Sequence, residues 1–459
     1  MSNDDDDYTA PNEDNRFGGR VRRYAKVGAS AGKLAARLAT GKMFGGDIDH
    51  AKYAAELTSA LGGLKGPLMK VAQILSTIPD ALPKEYTQAL ATLQADAPSM
   101  GWLFVKRRMR TELGAGWQER FGDFSHEAVA AASLGQVHRA TLDDGRTVAC
   151  KLQYPDMSAT VEADLKQLRA AFAIYRRYDS AIDAENIQLE LTARLREELD
   201  YEREARNMLL YRHMLADEDC VHVPEPVLDL TTKRLLTMTW QTGQKFQKFL
   251  DSDPSQDSRN QVALNMFRAW YVPFYRYGVI HGDPHLGNYT LRDDLSVNLL
   301  DFGCIRIFQP EFVNAVITLY EALRDKDEEK AVAAYQSWGF ENPSRELIDV
   351  LNIWAGFVYG PILDDRERRM DETNSVAYGA EVAGRVHREL RRVGGVKPPR
   401  EFVLVDRAAV GLGAVFLRLD AHLNWYQIFN DLVGDFDAGV LTRNQDAALG
   451  AVGLDRPEN

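Results

Sequence analysis

The spacing of apolar positions changes three times along the chain. Residues 48–119 carry them at helical intervals, interrupted by turn signals at Gly62–Gly63, Pro79, Pro83 and Pro98. From 128 to 154 the pattern becomes strand-like: AVAAASLGQVHRATL, then a DDG turn at 143–145, then RTVACKLQY. Asp144-Gly145 between two β-prone runs predicts a hairpin. Helical spacing returns over 158–216 and is interrupted around Pro224 and Pro226. A strand follows at RLLTMTW (234–240), and helical spacing dominates from there to the C-terminus. A β-rich unit around 125–240 ahead of a helical unit predicts two lobes, and no internal repeat is visible.

The polar ends of this pattern differ in sign. Residues 1–15 are acidic and read as disordered. From Arg16 to Lys42 there are eight cations and no acid, and KVGASAGKLAARLATGKM has the look of an amphipathic helix for anionic lipid. A solvated basic tail accounts for it equally well. GASAGK at 28–33 is not a Walker A loop, because three residues rather than four separate its glycines and Leu34 follows the lysine.

Composition narrows the class. The 459 residues are 45% hydrophobic and 27% charged, enough to bury a sizeable core. A net charge of −12 argues against general binding to nucleic-acid phosphates. Cys150, Cys220 and Cys304 are far apart and form no CxxC pair, which fits a reducing compartment. No apolar run is read as reaching the ~18–20 residues that span a bilayer; the nearest, AAVGLGAVFLRL at 408–419, stops at Asp420. DDDD at 4–7 has the wrong sign for a secretory leader. The expectation is a cytoplasmic protein, peripheral on the inner face of a membrane if it meets one.

The candidate chemistry sits in VIHGDPHLGNYTLRDDLSVNLLDFG, residues 279–303. Asp283 is followed five positions on by Asn288, and Asp301 opens Asp-Phe-Gly. Phosphoryl transfer needs an acceptor hydroxyl oriented by a carboxylate and oxygen ligands that hold Mg²⁺ across the phosphates. Asp-x4-Asn followed by Asp-Phe-Gly is the kinase arrangement, with HGD where ordinary protein kinases have HRD. Asp283 is then the base or orienting group, and Asn288 and Asp301 the metal ligands. His281 and His285 are four apart, but Gly282 and Pro284 exclude a regular helix that would aim both at one zinc ion, so His281 reads as a structural imidazole.

Upstream, VACK at 148–151 supplies Lys151 for the α- and β-phosphates. The phosphate-covering hairpin reads A-A-A-S-L-G-Q-V from Ala130 to Val137. Ala130 and Ala132 stand at the first two glycine positions, with Ala131 and Ser133 beside them, and only Gly135 remains. A Cβ at those places keeps the backbone further from the phosphates. In ENIQLELTARLREELDYEREARNMLLY, read as one helix, Asp200 and Glu204 lie one above the other in a stripe that continues through Met208 and Tyr211. Two like charges at that spacing need a facing cation, and Lys151 and a magnesium ion are the candidates; a solvated acidic face is the alternative. Met238 is a candidate gatekeeper beside the adenine.

These residues resemble the UbiB/ADCK family of atypical kinases, whose bacterial (AarF-like) and mitochondrial members support coenzyme Q biosynthesis. The likeness runs from about Leu61 to Asp301 through AAASLGQVH, CKLQYP, ELDYEREA and HGDPHLGN. KGPLMKVAQ at 65–73 matches the family's Lys-x-Gly-Gln motif at Lys70 and Gln73, with Ala72 in place of glycine. The resemblance implies an α+β, bilobed protein-kinase-like fold with an N-terminal helical extension over the nucleotide site. It also implies that Lys70 is held near Glu198 and Asp200 and that Glu204 pairs with Lys151. The corresponding divisions are a terminal segment 1–45, the extension 46–120, an N-lobe 121–240 and a mainly helical C-lobe 241–459.

The implied cofactors are ATP or ADP with Mg²⁺, and the implied activity is ATP hydrolysis or phosphotransfer. Partner classes are nucleotide, an anionic membrane surface, a quinone precursor or other lipid, and either a second copy of the chain or quinone-biosynthesis proteins. No Ala-Pro-Glu follows Asp-Phe-Gly, and CIRIFQPEF leads quickly into a helix, which argues against a peptide acceptor. Two other readings remain open: a small-molecule kinase of the aminoglycoside or choline type, which shares HGD-x4-N, and a nucleotide-gated scaffold or lipid chaperone that barely turns ATP over.

Overall fold

The computed structural model describes residues 100–457, apart from 132–133, 163–164, 167–168, 170–181, 184, 341 and 371–375. Residues 1–45, the candidate lipid-facing helix and the motif residues Lys70, Ala72 and Gln73 therefore lie outside the described residues, as do Ala132 and Ser133.

The hairpin expected from Asp144-Gly145 forms. Strands β3 (Gly135–Leu142) and β4 (Thr147–Gln153) are joined by a turn with Gly145 at φ 85°, a left-handed value that glycine adopts without strain. Two short strands, β1 (Phe121–Phe124) and β2 (Ala130–Ala131), pair in succession along one edge of β3. β6 (Leu235–Thr239) pairs with β4, giving a five-stranded sheet. Alternation along β4 sends Val148, Cys150 and Leu152 to one side and Ala149 and Lys151 to the other. The first set packs with Val105 and Met109 of helix α1 (Trp102–Leu113). Both sides are thus covered, which is why β4 reads as a nearly unbroken apolar run.

The second side is covered by a helix whose start the sequence reading missed. ENIQLELTARLREELDYEREARNMLLY is not one helix: α2 (Glu185–Glu197) and α3 (Tyr201–Met214) are separated at Glu198–Asp200. Asp200 caps α3, its Oδ1 accepting from Arg203 N at 3.1 Å. An Asp in this role favours a new helix start over continuation through it. Tyr201, Ala205 and Met208 of α3 share a core with Ala149, Leu236 and Met238.

A short strand, β5 (Val221–His222), precedes β6. After β6, residues 241–243 lead to β7 (Gln244–Lys245) and α4 (Phe246–Asp251), then to the long buried helix α5 (Gln256–Tyr277). α5 ends at Gly278 in the left-handed conformation, φ 65°, and the chain turns directly into β8 (Val279–His281). β9 (Tyr289–Leu291) and β10 (Val297–Leu299) form a hairpin within the sheet β5-β10-β9-β7, and β11 (Ile305–Ile307) pairs with β8. Among the described residues, the lobe is completed by α6 (Pro310–Asp325), α7 (Glu328–Ser337), α8 (Arg345–Tyr359), α9 (Val376–Arg392), α10 (Phe402–Leu419), α11 (Trp425–Val433) and α12 (Ala438–Ala451). The result is the bilobed α+β arrangement that the sequence predicts.

One segment corrects the expectation that none is long and apolar enough to cross a bilayer. Arg345–Leu363, which is α8 plus a following 3₁₀ turn, meets that length and composition, and only 17% of its apolar window is buried. Its charges, Arg345, Glu346 and Asp349, are bunched at one end. The apolar run at 408–419, by contrast, belongs to α10, with Ala408, Leu412, Phe416 and Leu419 in the core.

Gly135 fixes the open end of the β3–β4 hairpin, opposite its turn: a Cβ there would overlap the Leu152 carbonyl and lie 3.1 Å from the Tyr201 hydroxyl. Gly135→Ala should destabilise the protein by about 1–3 kcal/mol, the cost of overpacking a tight site, read as a lower urea midpoint. An unchanged midpoint would contradict the close approach.

Candidate nucleotide site

The register of the upper sheet sets Lys151 opposite Val137 on one neighbour and Leu236 on the other. Directly opposed residues share a face, so this row looks toward α3, with Met238 opposite Ala149 two positions along. Lys151 Nζ donates to Glu204 Oε1 at 2.8 Å and Oε2 at 3.0 Å, and to Asp301 Oδ2 at 3.0 Å. Its ammonium lies 5.1 Å from the centre of the buried Tyr201 ring. Burial works against the Lys151 charge, but Asp301 and Glu204 outweigh it and hold the group well above its ordinary value. Glu204 is also raised: burial pushes it up, Lys151 opposes this and Asp301 adds to it. One cation is shared by two carboxylates.

α3 also grips the Asp-Phe-Gly turn from both ends of its phenylalanine. Phe302 N donates to Glu204 Oε1 at 3.3 Å, and Asn207 Nδ2 donates to the Phe302 carbonyl at 3.0 Å. The Tyr211 and Phe302 rings lie 5.3 Å apart. The stripe Glu204–Met208–Tyr211 is therefore a docking face, and its solvated alternative is ruled out. Gly303 sits among three acids: a Cβ there would come within 3.4 Å of Asp301 Oδ1, 3.5 Å of Glu198 Cγ and 3.9 Å of Glu204 Oε2.

The HGD segment is stapled to Asp-Phe-Gly by an imidazole. His281, fully buried, accepts at Nδ1 from Asp283 N at 3.1 Å, and its Nε2 meets the Asp301 carbonyl at 2.6 Å. A backbone N–H must donate and a carbonyl must accept, so the ring is the neutral Nε2–H tautomer. Both nitrogens are engaged, which supports the structural reading of His281 over a zinc ligand. Asn288 Nδ2 donates to the Asp283 carbonyl at 3.1 Å, and Leu300 N donates to the Asn288 carbonyl at 2.8 Å. These links bring Asp283, Asn288 and Asp301 together at one end of the lobe.

The sequence reading missed Arg407. This α10 residue, 6% exposed, donates from Nη2 to Asp283 Oδ1 at 2.7 Å. Burial works against its charge, but Asp283, Cys304 and Glu198 together outweigh that and keep it raised. One turn on, Gly411 lies so close to Pro284 that a Cβ would overlap the ring. Gly282 is tight as well, since a Cβ would sit 3.0 Å from Cys304 Sγ and 3.2 Å from Leu404. The available signal was Asp406-Arg407 opening an otherwise apolar helix, a charge that needs a buried partner.

Among the described residues the site thus holds four carboxylates, Glu198, Glu204, Asp283 and Asp301, against two cations, Lys151 and Arg407. No three Asp, Glu, His or Cys side chains among the described residues converge closely enough to enclose an ion by themselves. That donor set fits a divalent ion that brings oxygen ligands of its own, such as phosphate oxygens. Ala130 and Ala131 form β2, opposite Val137 and Gln136 of β3.

A family model described as "ABC1 atypical kinase-like domain" matches residues 92–335. Atypical kinase COQ8, mitochondrial, of Saccharomyces cerevisiae is 26% identical over 383 residues, covering 82% of this chain and 75% of the relative. Protein ACTIVITY OF BC1 COMPLEX KINASE 8, chloroplastic, of Arabidopsis thaliana is 31% identical over 293 residues, 62% of this chain and 38% of that one. The chain therefore spans three quarters of one relative and well under half of the other. Among solved structures, the Rv3197–erythromycin complex from Mycobacterium tuberculosis superposes with a TM-score of 0.57 at 25% identity, covering 86% of this chain and 98% of that one.

Replacing Arg407 by methionine should strand a buried aspartate and cost about 3–5 kcal/mol of unfolding free energy. Adding Asp283→Asn should recover a large part of that loss. Strictly additive effects in this double-mutant cycle would show that the two side chains do not interact.

Proposed function

The chain belongs to the family of ABC1 atypical kinase-like domains, and from that premise we propose that it binds Mg-ATP or ADP between its lobes and transfers or hydrolyses the terminal phosphoryl group. The observation that carries this reading is the Lys151–Glu204–Asp301 triad. It joins a strand lysine, a helix glutamate and the Asp-Phe-Gly aspartate, which a phosphate-binding lysine requires before nucleotide can be held.

In this reading Lys151 contacts the α- and β-phosphates, Glu204 orients it, and residues 130–137 cover the phosphates. Those residues include Ala130, Ala131, Ala132, Ser133, Gly135 and Val137. Asn288 and Asp301 would hold magnesium, whose charge would offset that of the phosphates. Asp283 would orient the attacking hydroxyl or water, fixed by Arg407, His281 and Asn288. Met238, on the Lys151 face of the sheet, would flank the base. Lys70 and Gln73 would close the site from the N-terminal extension, with Lys70 between Glu198 and Asp200.

The pathway assignment rests on the resemblance to UbiB/ADCK proteins and on the atypical-kinase relatives: support of ubiquinone or related lipid metabolism. A protein acceptor is disfavoured, because only residues 304–309 separate Gly303 from α6, and β11 occupies half of them. The proposed setting is the cytoplasmic side of a membrane, with residues 16–42 as the lipid-facing segment and a second copy or quinone-biosynthesis proteins as partners.

ADP release by the purified protein should fall by about 10²–10⁴-fold in Asp283→Asn; wild-type turnover in that variant would refute the role. Mg-ATP at about 100 times its Kd should raise stability by about 2.7 kcal/mol. A stabilised protein with no ADP release, with or without anionic liposomes, would favour the scaffold reading. If the extension gates the site, Lys70→Ala should raise autophosphorylation, and no change would count against gating.

A further inference from the structure

A cavity of about 430 Å³ lies against the link between the lobes, and none of the side chains assigned above lines it. Arg212, His222, Gln241 and Arg292 supply its polar wall, and Leu215, Val221 and Val223 supply an apolar floor. Arg292 donates to neutral amides, from Nε to Asn298 Oδ1 and from Nη2 to Gln241 Oε1, each at 2.7 Å. Arg212 donates to the Val223 carbonyl at 2.9 Å, with the exposed Glu225 carboxylate at a loose 3.9 Å. Of the acids in the wall, Glu218 is buried and taken by both arms of Arg268, and Asp219 is exposed to water. Nearby Asp294 turns to Ser296 instead. His222 is lowered by burial and by Arg292, so it enters as a neutral ring that hydrogen-bonds Ser296. Two guanidiniums, one held by neutral amides and the other only loosely by an exposed carboxylate, above an apolar floor, suit an anionic head on an apolar body.

The same arginine holds the link in place. Gln241 follows directly on β6 and the adjoining Trp240, and Arg292 ties it to the β9–β10 hairpin. Asn298 Nδ2 donates to the Thr242 carbonyl at 3.0 Å. Gly243 is pressed so close that a Cβ would sit 2.6 Å from Thr290 Oγ1 and 2.8 Å from Asn298 Nδ2. A ligand that engages Arg292 competes with Gln241 for the guanidinium and so acts on the strap between the lobes.

We propose that this cavity binds a small molecule bearing a carboxylate or a phosphate ester on an apolar body, and that its occupancy changes nucleotide affinity through Arg292 and residues 241–243. The binding half stands alone; the coupling half rests on the nucleotide reading above.

Calorimetry on the full chain, at fixed ionic strength balanced with chloride, would use benzoate and phenyl phosphate as probes. At least one should bind with a Kd below about 1 mM, and which one binds tells carboxylate from phosphate chemistry. Arg212→Ala and Arg292→Gln should each weaken it about tenfold. Binding of neither probe, or undiminished binding to both variants, overturns the site. Saturating probe should then shift the Mg-ATP Kd about fivefold in the wild type. In Arg212→Ala the Kd without probe should stay unchanged and the shift should be lost. A wild-type Kd indifferent to probe overturns the coupling. If ATP binds in no arm, the nucleotide reading and the coupling fall together, while probe binding still decides the cavity on its own.

Discussion

Buried acids that share their cations are the constraint on which this site is organised. Lys151 answers both Glu204 and Asp301, Arg407 answers Asp283, and Glu198 crowds the same turn. Carboxylates out of water are costly unless paired and hydrogen-bonded. The surroundings supply what pairing they can: α3 caps the Asp-Phe-Gly backbone, and a neutral imidazole bridges it to HGD. A metal ion with its own phosphate oxygens would add to that pairing. Stability and function therefore draw on the same side chains.

The hydrophobic architecture serves that arrangement. A strand buried on both faces can carry a lysine into a protected cleft only if the facing helix returns an acid, and α3 does so with Glu204 one turn after its cap at Asp200. Below, Gly278 ends α5 and turns the chain into β8, whose last residue, His281, opens HGD. Glycine at 411 lets α10 approach Pro284 where a side chain would collide, and Gly282 fits a space too tight for one without movement of its neighbours.

Much of this is legible in the sequence because it is local. The Asp144-Gly145 hairpin, the RLLTMTW strand, the spacing from Asp283 to Asn288 and the helical stripe through Glu204 all rest on neighbours within a few residues. The errors have a common origin. Asp200 looks like one more acid in a helix because capping depends on backbone geometry, which a run of charged residues does not reveal. Arg345–Leu363 escapes notice because its charges, clustered at one end, obscure a long apolar remainder. Arg407 lies 124 residues from its partner, and the packing of α10 on the HGD turn, with Leu404 beside Gly282 and Gly411 on Pro284, brings them together. The Arg292 strap is equally invisible, since amide acceptors leave no pattern in sequence.

The position of Arg407 has a consequence for how this chain can be divided. The recognisable family segment ends at residue 335, before the helix that neutralises Asp283. A fragment trimmed at residue 335 would retain HGD and Asp-Phe-Gly yet lose the arginine that pairs with Asp283. In this architecture the signature region and the electrostatically complete unit are different objects, and the second extends at least through α10.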